Sequence, residues 1–288
     1  MLKHIKAWSG HAQALLVPVY PQCLICSKKA PSSPELPEIC AGCAATIPWI
    51  RKPRCSKCGR HVGCPDCTRS KEEGPIVCNR SAVAYTSEMR EMLGQYKYRG
   101  NERLALLLGL MLDRAYGNLK EEKESELRSL SPDSIHKPFP RFFTGNRSTR
   151  QWQADLLVPV PVSESRLNER GFNQAERLAD VLSRRRGIPQ LPLLIRTHHT
   201  GKQSFKSRAE RLNDMKHAFA ANPDMNLKER ISGLINARVP ENRPLQIIIV
   251  DDIYTTGSTI RACAETVKQI SESYGRESEI YSLTWARS

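Results

Sequence analysis

The sequence of 288 residues predicts an α/β fold: a central parallel sheet flanked by helices, with a small cysteine-rich metal module on its amino-terminal side. Three observations carry this expectation. Residues 247–250, Ile-Ile-Ile-Val, are a wholly apolar, β-branched run that suits a strand buried on both faces, and a polar turn leads from it into an amphipathic stretch at 260–273. The same order of apolar run, turn and helical pattern recurs from 156 to 185. Eight of the ten cysteines fall into four C-x-x-C pairs ahead of both.

The length fits one α/β domain and a smaller module. The expected boundaries are a lead-in helix at 1–22, a double zinc-ribbon module at 23–75 and the α/β domain at 76–288, with a charged insertion at 117–153. A net charge of +14 points to an anionic partner, either nucleic acid or a phosphorylated small molecule. No apolar run reaches the length of a membrane helix. The apolar stretch 12–19 behind Lys3 and Lys6 is short, is interrupted by Pro18 and lacks a cleavage site, so it does not make a signal peptide. A cytoplasmic protein without membrane insertion is expected.

The cysteine pairs are Cys23/Cys26, Cys40/Cys43, Cys55/Cys58 and Cys64/Cys67. Two thiolates at this spacing reach one tetrahedral centre, so four pairs supply two closed, structural Zn²⁺ sites. A disulfide framework would require an oxidising compartment, which the sequence does not announce. Sequential pairing joins the first two pairs and the last two; an interleaved arrangement has the same composition. His61 is a bystander where four thiolates are available. Residues 20–75 carry too little apolar content to fold without metal. Cys78 and Cys263 read as buried core thiols.

Residues 77–85 alternate as a strand does, and 88–98 form a helix with Met89, Met92, Leu93 and Tyr96 on one face. It ends Tyr96-Lys97-Tyr98-Arg99-Gly100. There Lys97 and Arg99 either complement the helix dipole or contact a pyrophosphate or nucleic-acid backbone, with Tyr96 and Tyr98 able to stack on bases. Asn101 caps a second helix running through Leu104, Leu107, Leu108 and Met111 to Tyr116. From 117 to 153 the pattern collapses into an exposed insertion, whose charged first half can extend that helix.

Residues 156–162 form a strand whose prolines mark its exit. Arg166 and Arg170 then flank a turn closed by Gly171, ahead of a helix at 175–185 with Leu178, Val181 and Leu182 inward. Two arginines between a strand end and a helix start make an anion site able to clamp pyrophosphate. Asn173 reads as the helix N-cap. A short strand at 193–197 precedes an aperiodic loop at 198–206 and a basic helix from Ser207 through Arg208, Arg211, Lys216 and Phe219, which together have the character of a lid. His198 and His199 read as exposed. Residues 280–285 supply the last strand.

The turn after 247–250 is the centre of the sequence. Asp251 and Asp252 end the apolar run; Thr255, Thr256, Gly257, Ser258 and Thr259 follow. This places small hydroxyls and a helix N-terminus at the carboxyl end of a parallel strand, where such sheets bind ligands and phosphate is favoured. The carboxylates suit a neighbouring diol. Phosphate beside a vicinal diol describes a 5-phosphoribosyl group. A capped β–α connection without a ligand is the plainer alternative. Neither the P-loop lysine pattern nor the dinucleotide glycine spacing is present.

Val-Asp-Asp-Ile-Tyr-Thr-Thr-Gly-Ser-Thr at 250–259 resembles the phosphoribosyl-pyrophosphate (PRPP) motif of type I phosphoribosyltransferases. With the four C-x-x-C pairs, Tyr-Lys-Tyr-Arg-Gly at 96–100, Val-Pro-Val-Pro at 158–161 and Glu-Arg-Gly-Phe-Asn-Gln at 169–174, nearly the whole chain resembles the ComF family of competence-associated proteins. The resemblance implies a zinc ribbon joined to a type I phosphoribosyltransferase-like domain that takes PRPP with Mg²⁺. It also implies a part in natural transformation, acting on incoming single-stranded DNA with the DNA-uptake machinery. Asp251 and Asp252 would face the ribose hydroxyls, and Thr255 to Thr259 would wrap the 5′-phosphate. Arg166, Arg170 and Lys97 would meet the pyrophosphate. Purine-salvage relatives carry an acidic base where this chain has Thr255, so no catalytic residue is assigned and the acceptor is open. Two function classes follow: a PRPP-dependent transferase, and a non-catalytic single-stranded DNA-binding module on the same fold.

Overall fold

A computed structural model describes residues 20–69, 74–98, 103–129, 151–197 and 218–288. It divides into two compact units, Met1–Ile47 and Pro48–Ser288, so the division falls inside the stretch 23–75. Among the described residues no helix is long and apolar enough to cross a membrane. The lead-in helix expected at 1–22 lies outside the described residues, except that Gln22 forms an antiparallel bridge with Lys29.

In the first unit, α1 (Ala41–Ala45) is a single turn capped by Cys40, whose Sγ accepts from the Cys43 N–H at 3.4 Å. Apart from Cys23, its buried apolar side chains among the described residues are Leu36, Ile39 and Ile47. That is far too little to order a chain without another source of free energy.

The second unit opens with α2 (Pro65–Arg69) and then β1 (Asn79–Ala84). Next come α3 (Ser87–Tyr98), α4 (Arg103–Ser129), β2 (Leu156–Pro159), α5 (Glu164–Arg170) and α6 (Gln174–Arg186). The chain continues through β3 (Leu194–Arg196), β4 (Phe219–Ala221), α7 (Met225–Arg238), β5 (Leu245–Tyr254), α8 (Ser258–Ser273) and β6 (Ser278–Arg287). The main sheet is parallel throughout, in the order β1-β6-β5-β2. The expected α/β class with a central parallel sheet is therefore what the chain forms.

Ile247, Ile248, Ile249 and Val250 are at most 2% exposed, as strands covered by helices on both faces require. β5 runs beyond this apolar run to Tyr254, because β6 pairs with it as far as Tyr254 opposite Arg287. β2 is shorter than 156–162. Val160 N–H still reaches the Val250 carbonyl at 2.9 Å, but Pro161 has no N–H to continue the ladder.

The helix expected to stop at Tyr116 continues as α4 to Ser129. Leu119, fully buried, extends the apolar stripe, and Lys120 pairs with Glu124 one turn on. The insertion therefore does not begin at 117. Its far end also returns to the core: Trp152 is buried, donates Nε1–H to Gln246 Oε1 at 2.8 Å and packs edge-on against Tyr281. Residues 130–150 lie outside the described residues.

α5 was not foreseen in the turn before Gly171, which ends it in the left-handed conformation at φ +78°. Phe219, expected on a basic helix, instead lies in β4, which pairs antiparallel with β3. The loop and helix expected at 198–217 lie outside the described residues.

α4 and α6 approach closely at Gly109, where an added Cβ would lie 2.5 Å from Val181 Cβ. Val181 is branched at that atom and cannot swing aside without moving α6. Gly109→Ala should therefore destabilise the chain by about 1–3 kcal/mol, although alanine is intrinsically the better helix former by about 1 kcal/mol. Urea denaturation reads the difference; a gain in stability would mean the helices are not so close.

Candidate functional site

The site forms where β5 outruns the apolar core. Asp251 Oδ1 accepts the Asp252 N–H at 2.8 Å, and the Asp252 carboxylate, 7% exposed, pairs with the Lys97 ammonium from the last turn of α3. The two acids diverge in charge. Burial, and then the neighbouring negative charge of Asp252, push the Asp251 carboxyl well above the ordinary carboxylate range. Burial also pushes Asp252 upward, but Lys97 and, at longer range, Arg170 outweigh it and hold this acid below its usual value. The two shifts run in opposite directions, so Asp252 holds its negative charge more firmly than Asp251.

Arg170 closes the other side. It is 9% exposed, donates Nη1–H to Gln174 Oε1 at 2.9 Å and lies over the Tyr98 ring at 5.2 Å. Among the described residues its buried Nε–H has no hydrogen-bond partner, an unmet donor that an anion could satisfy. Arg166, one turn earlier on α5, is exposed.

Sequence reasoning passed over Arg196 at the end of β3. Burial lowers its affinity for the proton, then the positive charge of Arg166 lowers it further, while Asp251 acts in the opposite sense. Arg170 thus acts on Asp252 and Arg196 on Asp251, with Arg166 beside Arg196. A lone arginine ending a three-residue strand carries no motif; the one available signal was a cation closing an apolar run.

The phosphate-type turn follows the acids. Gly257 adopts φ +80° as the N-cap of α8, and a Cβ there would meet Tyr254 Oη at 2.2 Å. Glycine is thus needed both for the left-handed backbone and for the tyrosine lying over it. Thr256 Oγ1 and Ser258 Oγ share a hydrogen bond of 3.1 Å, Thr255 is exposed, and Thr259 is half-buried in the first turn of α8.

Other residues take different roles from those expected. Tyr96 is wholly buried, donates its hydroxyl to the Gln174 carbonyl at 3.1 Å and packs its ring on Phe172 at 5.3 Å, so it offers no face to a base. Tyr98 is 64% exposed. Lys97, the basic residue in the last turn of α3, pairs with the Asp252 carboxylate of its own chain. Arg99 lies outside the described residues. Asn173 is the N-cap anticipated, accepting from Ala175 N–H at 3.1 Å, and it also donates to the Val160 carbonyl.

The cysteines gather sequentially: Cys23, Cys26, Cys40 and Cys43 in one cluster, and Cys55, Cys58, Cys64 and Cys67 in the other. In each, the four sulfur atoms lie within 4.8 Å of one another. This removes the interleaved alternative. None of the ten cysteines is in a disulfide. Four converging thiols without an open position are the donor set of a closed tetrahedral metal site, and both clusters could hold zinc on that chemistry. His61 is exposed and belongs to neither cluster.

No protein-family model matches the chain. It is similar to competence protein ComFC of Bacillus subtilis, 29% identical over 87% of this chain and 85% of that protein. Competence protein ComFC of Streptococcus pneumoniae is 25% identical over 85% of this chain and 86% of the relative. The DNA utilization protein YhgH of Salmonella typhi is 26% identical, with 79% and 82% covered.

Proposed function

The chain belongs to the ComF family, and on that footing we propose that it serves competence-type DNA uptake by binding PRPP with Mg²⁺ as a phosphoribosyltransferase of unassigned acceptor. One observation carries the ligand reading. An acidic pair near the end of a central parallel strand, Asp251 half-buried and Asp252 buried, precedes a glycine-dependent turn into a helix N-terminus, with the Arg170 Nε–H, unpaired among the described residues, on its flank. In this reading the acids accept hydrogen bonds from the ribose hydroxyls. The turn from Thr255 to Thr259 supplies hydroxyls and helix N–H groups for the 5′-phosphate. Arg166, Arg170 and Arg196 answer the negative charge of the pyrophosphate.

Carboxylate oxygens are the hard donors Mg²⁺ prefers, so Asp251 and Asp252 fit the ion, which when bound would draw charge from the departing pyrophosphate. Thr255 offers no carboxylate to take the proton lost by the attacking nitrogen, which in this reading passes to the departing pyrophosphate or to solvent. Each four-cysteine cluster is read as a structural zinc site.

The test is thermal. PRPP with Mg²⁺ should raise the melting temperature of the wild-type chain, and the combined substitutions Asp251→Asn and Asp252→Asn should abolish that shift. No shift in the wild type would sink the ligand reading.

The single variants differ without ligand. Because the folded pKa of Asp251 is raised, its carboxyl favours folding fully below the unfolded pKa, and that contribution falls as pH rises towards the folded one. Asp251→Asn should therefore stabilise the empty protein at neutral pH. Asp252→Asn should destabilise it, since it leaves the Lys97 ammonium, 17% exposed, without its counter-charge.

The second reading, a single-stranded DNA-binding module, draws on the exposed Tyr98 ring beside Arg170 and on the net charge of +14. Such binding would weaken steeply with salt, whereas PRPP binding would depend on Mg²⁺ and the acidic pair.

A further inference from the structure

The second cysteine cluster and the phosphate turn are not separate features of the Pro48–Ser288 unit. Arg287, at the end of β6, is 3% exposed. Its Nε–H donates to the Cys58 carbonyl at 3.1 Å, and Nη2–H to Cys58 Sγ at 3.4 Å. From the same guanidinium, Nη1–H donates to the carbonyls of Tyr254 at 3.1 Å and Thr255 at 3.0 Å. The guanidinium plane also lies 4.9 Å from the centroid of the Tyr254 ring, the ring whose hydroxyl sits over Gly257. One buried side chain thus holds a metal-ligand cysteine with one edge and the first peptides of the phosphate turn with the other.

The knuckle that carries Cys58 is itself seated on the sheet. Asn79 donates its N–H to the Lys57 carbonyl at 2.8 Å and its side-chain amide to the Cys58 carbonyl at 3.2 Å. Gly59, at φ +70°, lies so close that a Cβ would meet the Asn79 carbonyl oxygen at 2.5 Å. Between knuckle and turn opens a cavity of about 380 Å³, with Cys64 and Cys67 on one side and Thr255, Thr256 and Gly257 on the other. The Arg287 guanidinium is hydrogen-bonded to both walls of this cavity.

We propose that Arg287 is a positioning residue through which metal occupancy of the Cys55/Cys58/Cys64/Cys67 cluster sets the shape of the phosphate turn. A metal-bound Cys58 is a thiolate with a fixed position, and a guanidinium donating to it is held by a charge-assisted bond. The same planar fork then fixes the Tyr254 and Thr255 carbonyls, and through them the direction of the N–H groups that follow. Without metal nothing else fixes the position of the Cys58 sulfur as a ligand, and the fork loses one of its anchors. Lysine could keep the charge of Arg287 but not its several donors in one plane. Occupancy of the turn should by reciprocity tighten the metal. That last consequence rests on the phosphoribosyl reading; the coupling of metal to turn does not.

The experiment uses the full chain loaded with zinc. Hydrogen exchange followed by mass spectrometry compares wild type, Arg287→Lys and Cys64→Ser over residues 254–259, with 247–250 as the internal control. Both variants should exchange the turn faster, by roughly fivefold or more, while the control is unchanged and Arg287→Lys retains both zinc ions. Loss of zinc from Cys64→Ser with unchanged exchange in the turn would overturn the proposal, as would unchanged exchange in Arg287→Lys. Should either variant fail to fold, timed chelation of the wild type supplies the same comparison. A parallel arm measures zinc release to a chromophoric chelator: PRPP with Mg²⁺ should slow release of one zinc in the wild type and not in Arg287→Lys. Failure of PRPP to bind removes the ligand reading alone, because the exchange arm contains no ligand.

Discussion

Elemental analysis should find two zinc ions per chain, and removing them with a strong chelator should unfold residues 20–47 outright. This segment buries only Leu36, Ile39 and Ile47 besides Cys23, and its helix is a single turn. Full burial of three such side chains contributes about 2 kcal/mol each, against a backbone ordering cost of roughly 1–2 kcal/mol for every residue fixed. Binding of one structural zinc supplies on the order of 10–16 kcal/mol in small four-ligand peptides, more than the three buried side chains together. Protease susceptibility within 20–47 is the direct readout: cleavage should be slow in the loaded chain and fast after chelation. A metal content near one per chain would refute one of the two sites, and unchanged cleavage would show that the metal is not structural there.

Asp155→Ala should lower global stability by about 3 kcal/mol, the low end of the cost of breaking a buried ion pair. The carboxylate is 7% exposed and receives both Nη groups of Arg243, at 2.7 and 2.6 Å, as well as the Gln246 N–H at 2.8 Å. It therefore ties the start of β2 to the entry of β5 by a backbone contact as well as a charged one. Arg243 is 37% exposed, and water can take up part of its lost interaction, which sets the lower figure. Asp155→Asn keeps an oxygen for the Gln246 N–H and should recover part of the loss. Denaturant unfolding of the three chains measures both effects; a loss below about 1 kcal/mol would mean solvent replaces the pair.

Much of the site could be read from residues adjacent in sequence. An apolar run ending in Asp251 and Asp252, followed by Gly257 among hydroxyl side chains, places its own strand, turn and helix by local chemistry. The inward face of α3, with Met89, Met92, Leu93 and Tyr96, followed from helical period in the same way, and all four are buried. What stayed hidden depends on which distant segments meet. Lys97 finds its partner in Asp252, and Arg287 finds both Cys58 and Tyr254, only once β6 lies between β1 and β5. Arg196 acquires meaning only from the neighbouring charges of Arg166 and Asp251. The extent of α4 was missed for a different reason: its surface between 117 and 129 is so charged that Leu119, the one fully buried residue keeping it on the sheet, was outweighed by composition.

The position of β6 has a consequence for the making of the molecule. Ser81 on β1 and Thr284 on β6 share a buried hydrogen bond of 2.6 Å across 203 positions of chain. On a ribosome, β1, bridged on one edge to the preceding residues 48–50, emerges long before its strand partner β6, and β5 must likewise wait for β6 before its acidic end is paired. The sheet therefore has to close late, over a large loop entropy, as is usual for parallel pairings between remote segments. Until then β1 and the β-branched run of β5 are open edges, which gives nascent chains a period of vulnerability to mispairing that the finished protein does not share.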